Sequence, residues 1–149
     1  MITFKTLEIS DIDIITVMME DFYAIDNYPI EAQATKKMFQ EFISNENFGK
    51  AWLIYADNKI AGYVILTYIF SFEYGGKIAF VDELFIKESA RGKGIGKETI
   101  QFVQQESPKL SLKLLYLEVE NHNENAQKLY LAQDFGFHNR KLMKYKIAK

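Results

Sequence analysis

The chain has 149 residues and a formal net charge of −2, with an ordinary globular composition rich in aromatics. That length predicts a single domain over 1–149 with a real core, and the charge gives no reason to expect nucleic acid or an anionic membrane as partner. Without cysteine there is no disulfide framework, thiolate metal site or cysteine nucleophile, and His122 and His138 alone leave little for a zinc site or a Ser-His-Asp triad, so no metal is expected.

The opening "ITFKTLEI" alternates and predicts a strand, too broken by charge for a signal peptide. Ser10 then predicts a helix cap with Asp13 at the third helical position, and Ile14, Ile15, Met18, Met19 and Phe22 supply the apolar side. After the break "DNYP", "EAQATKKMFQEFIS" predicts a second helix with Met38, Phe39 and Phe42 facing in. "AWLIYAD" and "IAGYVILTYIFSF" predict strands joined by a tight turn at Asn58-Lys59, and "EYGG" turns the chain into the strand "KIAFVDELFIK". No apolar run approaches about 18 residues, so no membrane span is expected and a cytoplasmic protein is the default.

Next comes "RGKGIGK", three glycines among three cations, opening a helix whose stripe is Ile95, Thr99, Phe102 and Val103. The first N–H groups of a helix lack intrahelical partners and its dipole favours negative charge, so a bare turn here suits an anion. A Walker A loop fails, since its first glycine falls on Arg91 and its hydroxyl on Glu98; GxGxxG fails because position 97 is Lys97. The plain alternative is a glycine-rich βα turn. Beyond Pro108, "LKLLYLEVE" predicts a strand, "NENAQKLYLAQD" a helix stopped near Gly136, and "FHNRKLMKYKI" a closing strand. The order β-α-α-β-β-β-α-β-α-β predicts a mixed α/β (α+β) layer fold, a mostly antiparallel sheet with helices on both faces.

The string Arg91-x-x-Gly94-x-Gly96 between a strand and a helix resembles the acyl-CoA pyrophosphate loop of the GNAT superfamily of N-acetyltransferases. Asn123-x-x-Ala126-x-x-Leu129-Tyr130, followed by Gly136-Phe137, resembles that superfamily's second signature, and the element order matches its fold over essentially the whole chain. The resemblance implies acetyl-CoA as co-substrate. It maps the pyrophosphate onto Arg91, Gly92, Lys93, Gly94, Ile95, Gly96 and Lys97. The pantetheine arm maps onto the strand edge at Leu84, Phe85 and Ile86, and Asn123 onto the asparagine that contacts the arm. One peptide N–H near Leu84 or Phe85 is then expected to polarise the thioester carbonyl.

Tyr130 resembles the tyrosine that protonates the leaving thiolate in many members; its ordinary alternative is a core aromatic. The general base is expected at Asp82 or Glu83, adjacent acids in an apolar strand that alternation sends to opposite faces, with Asp82 favoured because "VDELFI" resembles the strand of diamine and polyamine acetyltransferases. Tyr23, Tyr28, Phe72 and Tyr74 with Asp21, Asp26 and Glu73 suggest an aromatic, acidic mouth for a cationic amine. The implied activity is acetyl transfer from acetyl-CoA to a small primary amine by direct attack in a ternary complex. The alternatives are a non-catalytic acyl-CoA-binding module and a peptide or protein N-acetyltransferase. A homodimer is among the expected assemblies.

Overall fold

The alternating start of the chain forms edge strand β1 (Ile2–Thr6), and a 3-10 turn leads into helix α1 (Ile12–Ile25). Asp11, not Ser10, closes this turn: its carboxylate accepts the Glu8 N–H at 3.0 Å and pairs with the Lys5 ammonium. A charged acceptor meeting both a cation and a backbone donor is stronger than a serine hydroxyl. Helix α2 (Ala32–Ser44) is capped by Glu31, whose carboxylate accepts from the N–H groups of Gln33 at 3.2 Å and Ala34 at 2.7 Å.

Strands β2 (Gly49–Ala56), β3 (Lys59–Ser71) and β4 (Gly76–Ile86) continue the antiparallel meander from β1, and after α3 (Ile95–Glu106) the short β5 (Leu115–Tyr116) adds parallel to β4. The sheet order is β1-β2-β3-β4-β5. The β2–β3 turn centres on Asp57 and Asn58, with φ of 50° and 66°, one residue earlier than Asn58-Lys59. Two successive left-handed residues match the twist of a tight hairpin, and Asp and Asn tolerate that region where Lys does not.

Helices α1 and α2 cover one face, where Ile15, Met19 and Phe39 pack with Leu53, Tyr63 and Phe85. On the other face Val103 of α3 packs with Trp52, Leu66 and Val81, and Phe102 stacks on Phe4 with centroids 4.0 Å apart. With both faces covered, β2 and β3 carry apolar runs instead of clean alternation. Met38 and Ile14 were expected inward and are exposed; Thr35 and Phe39 form the buried side of α2, and Ile12, Ile15 and Met19 that of α1. Each residue turns a helix by about 100°, so one step at the stripe's margin moves a side chain into solvent.

The computed structural model describes residues 1–148 and resolves two compact units, the sheet with its first three helices (Met1–Glu118) and a second unit beginning at Val119. The second unit holds α4 (Glu124–Ala132), which ends in a left-handed residue at Asp134 (φ 69°) instead of near Gly136. The expected closing strand "FHNRKLMKYKI" is not formed. Phe137, Leu142, Met143, Tyr145 and Ile147 are all exposed, and no other strand within this unit offers a hydrogen-bonding ladder. No helix among the described residues is long and apolar enough to cross a membrane.

At Gly62 a side chain would collide with the Phe85 carbonyl oxygen of β4. Gly62→Ala is expected to destabilise the protein by about 1–3 kcal/mol, the usual effect of overpacking. A lowered urea midpoint with unchanged slope would register it; an unchanged midpoint would show that β3 and β4 separate freely.

Candidate active site

The ladder between β3 and β4 pairs Val64 with Leu84 and Ile65 with Glu83, then resumes at Leu66 with Val81. Asp82 is the extra residue of a β-bulge. The expectation that alternation parts the two acids is therefore overturned: a bulge breaks the period of two and re-aims side chains. Asp82 and Glu83 border one cavity of about 250 Å³. Its floor continues along β3 with Ile65 and Thr67; its roof is Met19 and Tyr23 of α1 with Thr35, Met38, Phe39 and Phe42 of α2.

Glu83 is held rigidly. One carboxylate oxygen accepts the Tyr23 hydroxyl at 2.7 Å and the other the Tyr63 hydroxyl at 2.7 Å. Burial raises the Glu83 carboxyl, the two tyrosine hydrogen bonds oppose that, and the Asp82 charge adds to it; the net direction is up. Burial, followed by the Glu83 anion, pushes both phenols well above their usual range, so they remain donors. Among the described residues Asp82 has no hydrogen-bond or ion-pair partner. Its residue is exposed overall, yet partial burial of the carboxyl raises it. Tyr63, fully buried at 0% exposure, was not singled out in the sequence because it lies within an uninterrupted apolar strand.

Strand β4 next supplies an unpaired edge. Ala79 with Leu115 and Phe80 with Tyr116 pair across to β5, so among the described residues Leu84, Phe85 and Ile86 have no strand partner on that side. The chain then passes a 3-10 turn at Glu88–Ala90 into the glycine loop. Gly92 and Gly94 have φ of 79° and 76°, and nothing lies within 4 Å of where their side chains would project. Glycine is thus favoured by conformation, and the outer side of the loop is clear. Gly94 is the N-cap of α3, and Glu98 N–H is the first to bond back, to Gly94 O at 3.1 Å. The N–H groups of Ile95, Gly96 and Lys97 at this helix start have no intrahelical acceptor.

Lys93 and Lys97 are exposed beside them. Arg91 is turned differently. Its Nε donates to Ile86 O at 3.0 Å and its guanidinium sits over the Phe85 ring at 6.0 Å, so its charge lies against the strand end. A second cavity of about 650 Å³ opens there, bordered by Phe85, Lys87 and Arg91 on one side and Asp21 and Ile25 on the other. A clear, cationic loop of free N–H groups beside an unpaired strand edge fits a phosphate-bearing amide chain.

In the second unit Asn123 caps α4, its Oδ1 accepting the Ala126 N–H at 3.1 Å. Tyr130 packs against Phe135 with centroids 6.0 Å apart, and burial raises its phenol. Of the proposed aromatic mouth only Tyr23 borders the acid cavity. Phe72 is 92% exposed, Tyr28 is exposed, and the Tyr74 hydroxyl lies 3.3 Å from that of Tyr116. Among the described residues no group of three or more His, Cys, Asp and Glu could hold a metal.

The acetyltransferase (GNAT) family model matches residues 13–137. The chain belongs to the GNAT acetyltransferase family. D-amino-acid N-acetyltransferase HPA3 of Saccharomyces cerevisiae is 32% identical over 54 residues, 36% of this chain and 34% of that protein, so the match spans only about a third of the yeast enzyme. The integron cassette protein HFX_CASS3, from the mobile metagenome of Cole Harbour Salt Marsh, shares 29% identity and a TM-score of 0.87, covering 98% of this chain and 91% of that one. A predicted acetyltransferase from Clostridium acetobutylicum solved with acetyl-CoA shares the fold at 12% identity and TM-score 0.79, covering 97% and 96% of the two chains. This GNAT protein thus has the mixed α/β fold of a family that uses acetyl-CoA.

Gly94→Val would force a β-branched residue to φ of 76° and fill the clear side of the loop. Strain of about 1–3 kcal/mol is expected in stability, together with at least a tenfold loss in CoA affinity by calorimetry. A folded variant binding CoA as tightly as the parent would remove the loop from the site.

Proposed function

We propose that this GNAT protein transfers an acetyl group from acetyl-CoA to the primary amine of a small molecule, by direct attack in a ternary complex, with residues 1–149 acting as one catalytic domain. The observation that carries this reading is the bulge on β4: it turns a tyrosine-held carboxylate and an unpartnered one into a single cavity, on the strand that leads to the glycine loop. The family match across residues 13–137, spanning both compact units, supports treating them together.

Bound acetyl-CoA supplies the acetyl group and a thiolate leaving group. The N–H groups of Gly92 to Lys97 would hold its pyrophosphate, with Lys93 and Lys97 adding positive charge and Arg91 bracing the strand end. The unpaired edge at Leu84–Ile86 would take the amides of its arm, a Leu84 or Phe85 N–H would serve the acyl oxygen, and Asn123 would offer its amide. Glu83 anchors the incoming ammonium, since Tyr23 and Tyr63 orient its oxygens without neutralising them. Asp82, free of partners, removes the proton through water. Tyr130 keeps a proton on its phenol for the leaving sulfur. Its raised pKa makes it a weaker acid than free phenol, so its contribution falls at the low end for a general acid.

The rate should rise with pH as Asp82 ionises, and Asp82→Asn should lower kcat and abolish that limb. The stability sign is opposite. A carboxyl with a raised folded pKa contributes stability below its unfolded pKa and loses it as pH rises through the folded value. Asp82→Asn should therefore match or exceed the parent in thermal stability at pH 7, the difference closing in acid. A loss of stability at neutral pH, or an unchanged pH–rate profile, would overturn the assignment. Tyr130→Phe should reduce kcat about 10- to 100-fold with acetyl-CoA affinity retained, against about 10²–10⁴ for general acids at large. Thiol release with no amine in a broad panel would leave a non-catalytic acyl-CoA-binding module.

A further inference from the structure

Resting on the N-acetyltransferase reading above, we infer that the acceptor is a small apolar monoamine, an alkylamine or aralkylamine with no carboxylate, no second cation and few hydroxyls. The cavity beside Asp82 and Glu83 carries this. Its roof is made of Met19, Met38, Phe39 and Phe42, and Ile65 continues the apolar surface along the floor. Such walls reward hydrocarbon and leave polar substituents without partners.

The charge distribution narrows the class. None of the ten residues bordering the cavity is Lys, Arg or His, while two are carboxylates. An amino acid places its own carboxylate next to its amine and so brings a third anion beside two, with no cation to receive it. Diamines fail for the converse reason. Both acids lie on adjacent residues of one strand, so a second ammonium would rest against Met19, Phe39 and Phe42, or emerge past Met38, which is 63% exposed at the mouth. Among the residues bordering the cavity it gains no third anion in either place.

Hydroxyl-rich amines meet a third obstacle. The Tyr23 hydroxyl is donated to Glu83, and apart from Tyr23 and the two acids that serve the amine Thr35 and Thr67 are the polar side chains of the lining, Thr35 itself buried at 4% exposure. The cavity volume indicates the size of the enclosed part. At about 30 Å³ per water-sized group, 250 Å³ holds on the order of eight such groups. A six-carbon chain or a phenylethyl group fits.

Matched pairs of amines test this with the intact protein and acetyl-CoA, following thiol release. 2-Phenylethylamine and phenylalanine differ by one carboxylate; hexylamine and 1,6-diaminohexane differ by one terminal ammonium. At roughly 6 Å and an effective dielectric of about 20, like-charge repulsion predicts about a 100-fold advantage in kcat/KM for 2-phenylethylamine. Hexylamine should exceed 1,6-diaminohexane at least tenfold, and glucosamine should be slower than either monoamine. Efficient acetylation of phenylalanine, 1,6-diaminohexane, glucosamine or the ε-amine of Nα-acetyl-lysine amide, with the monoamines slow, would overturn the inference and leave the N-acetyltransferase reading standing. Absence of release with all of these, acetyl-CoA binding being intact, would overturn both. Met38→Glu, on an exposed position, adds a carboxylate to the lining at the mouth. It should raise the ratio of 1,6-diaminohexane to hexylamine about tenfold, and an unchanged ratio would place the acceptor's tail elsewhere and sink the inference.

Discussion

Strand β4 is laddered to β3 along its length but to β5 through only two register pairs, Ala79 with Leu115 and Phe80 with Tyr116. Backbone donors and acceptors removed from water must find partners, so an inner strand that stops pairing on one side creates a demand for something else. The bulge at Asp82 falls two residues beyond the last pair with β5. Together these irregularities make the inner strand of the sheet the place where side chains, peptide groups and the following loop are all available at once. The Glu83–Tyr63 hydrogen bond, the unpaired edge at Leu84–Ile86 and the Arg91 contact to Ile86 O succeed one another along it. A regular β4 with a full β5 partner would bury the same residues and present none of them.

The electrostatic design follows from which partners the acids lack. A lysine opposite Glu83 would neutralise it; two phenols orient its oxygens and leave the charge in place. Desolvation then works against the protein, raising both carboxyls and making their ionised forms unfavourable in the fold. A cationic substrate relieves that tension on binding. Sites built for function commonly sacrifice stability in this way, and the strain here is carried by charge, not by backbone.

Several of these features could be read from the chain itself. The glycines of the loop are visible because the requirement is local: a left-handed residue at Gly92 and again at Gly94 restricts the residue type whatever surrounds it. The bulge was hidden, because an extra residue is a property of two strands in register and not of either alone. Alternation therefore sent Asp82 and Glu83 to opposite faces. Tyr63 was hidden for a related reason, since within "IAGYVIL" nothing distinguishes an aromatic that hydrogen-bonds an acid from one that only packs. The alternating "FHNRKLMKYKI" has the composition of a strand, but a strand exists only where a neighbour accepts its hydrogen bonds. Met38 shows the limit of a helical stripe, whose margin is sharp to about one residue.

The coupling of the two acids bears on their separate roles. Burial is the main cause that raises the Glu83 carboxyl and the Asp82 charge a lesser one, while burial alone raises Asp82. Removing the Asp82 charge lowers the Glu83 pKa. If Glu83 were the base, the rising limb of an Asp82→Asn variant would persist and move to lower pH. If Asp82 is the base, the limb disappears while Glu83, still held by Tyr23 and Tyr63, goes on binding the ammonium, and the change falls on kcat more than on KM. The direction in which the limb moves therefore separates the roles, and it does so because the bulge set the two carboxylates in one cavity.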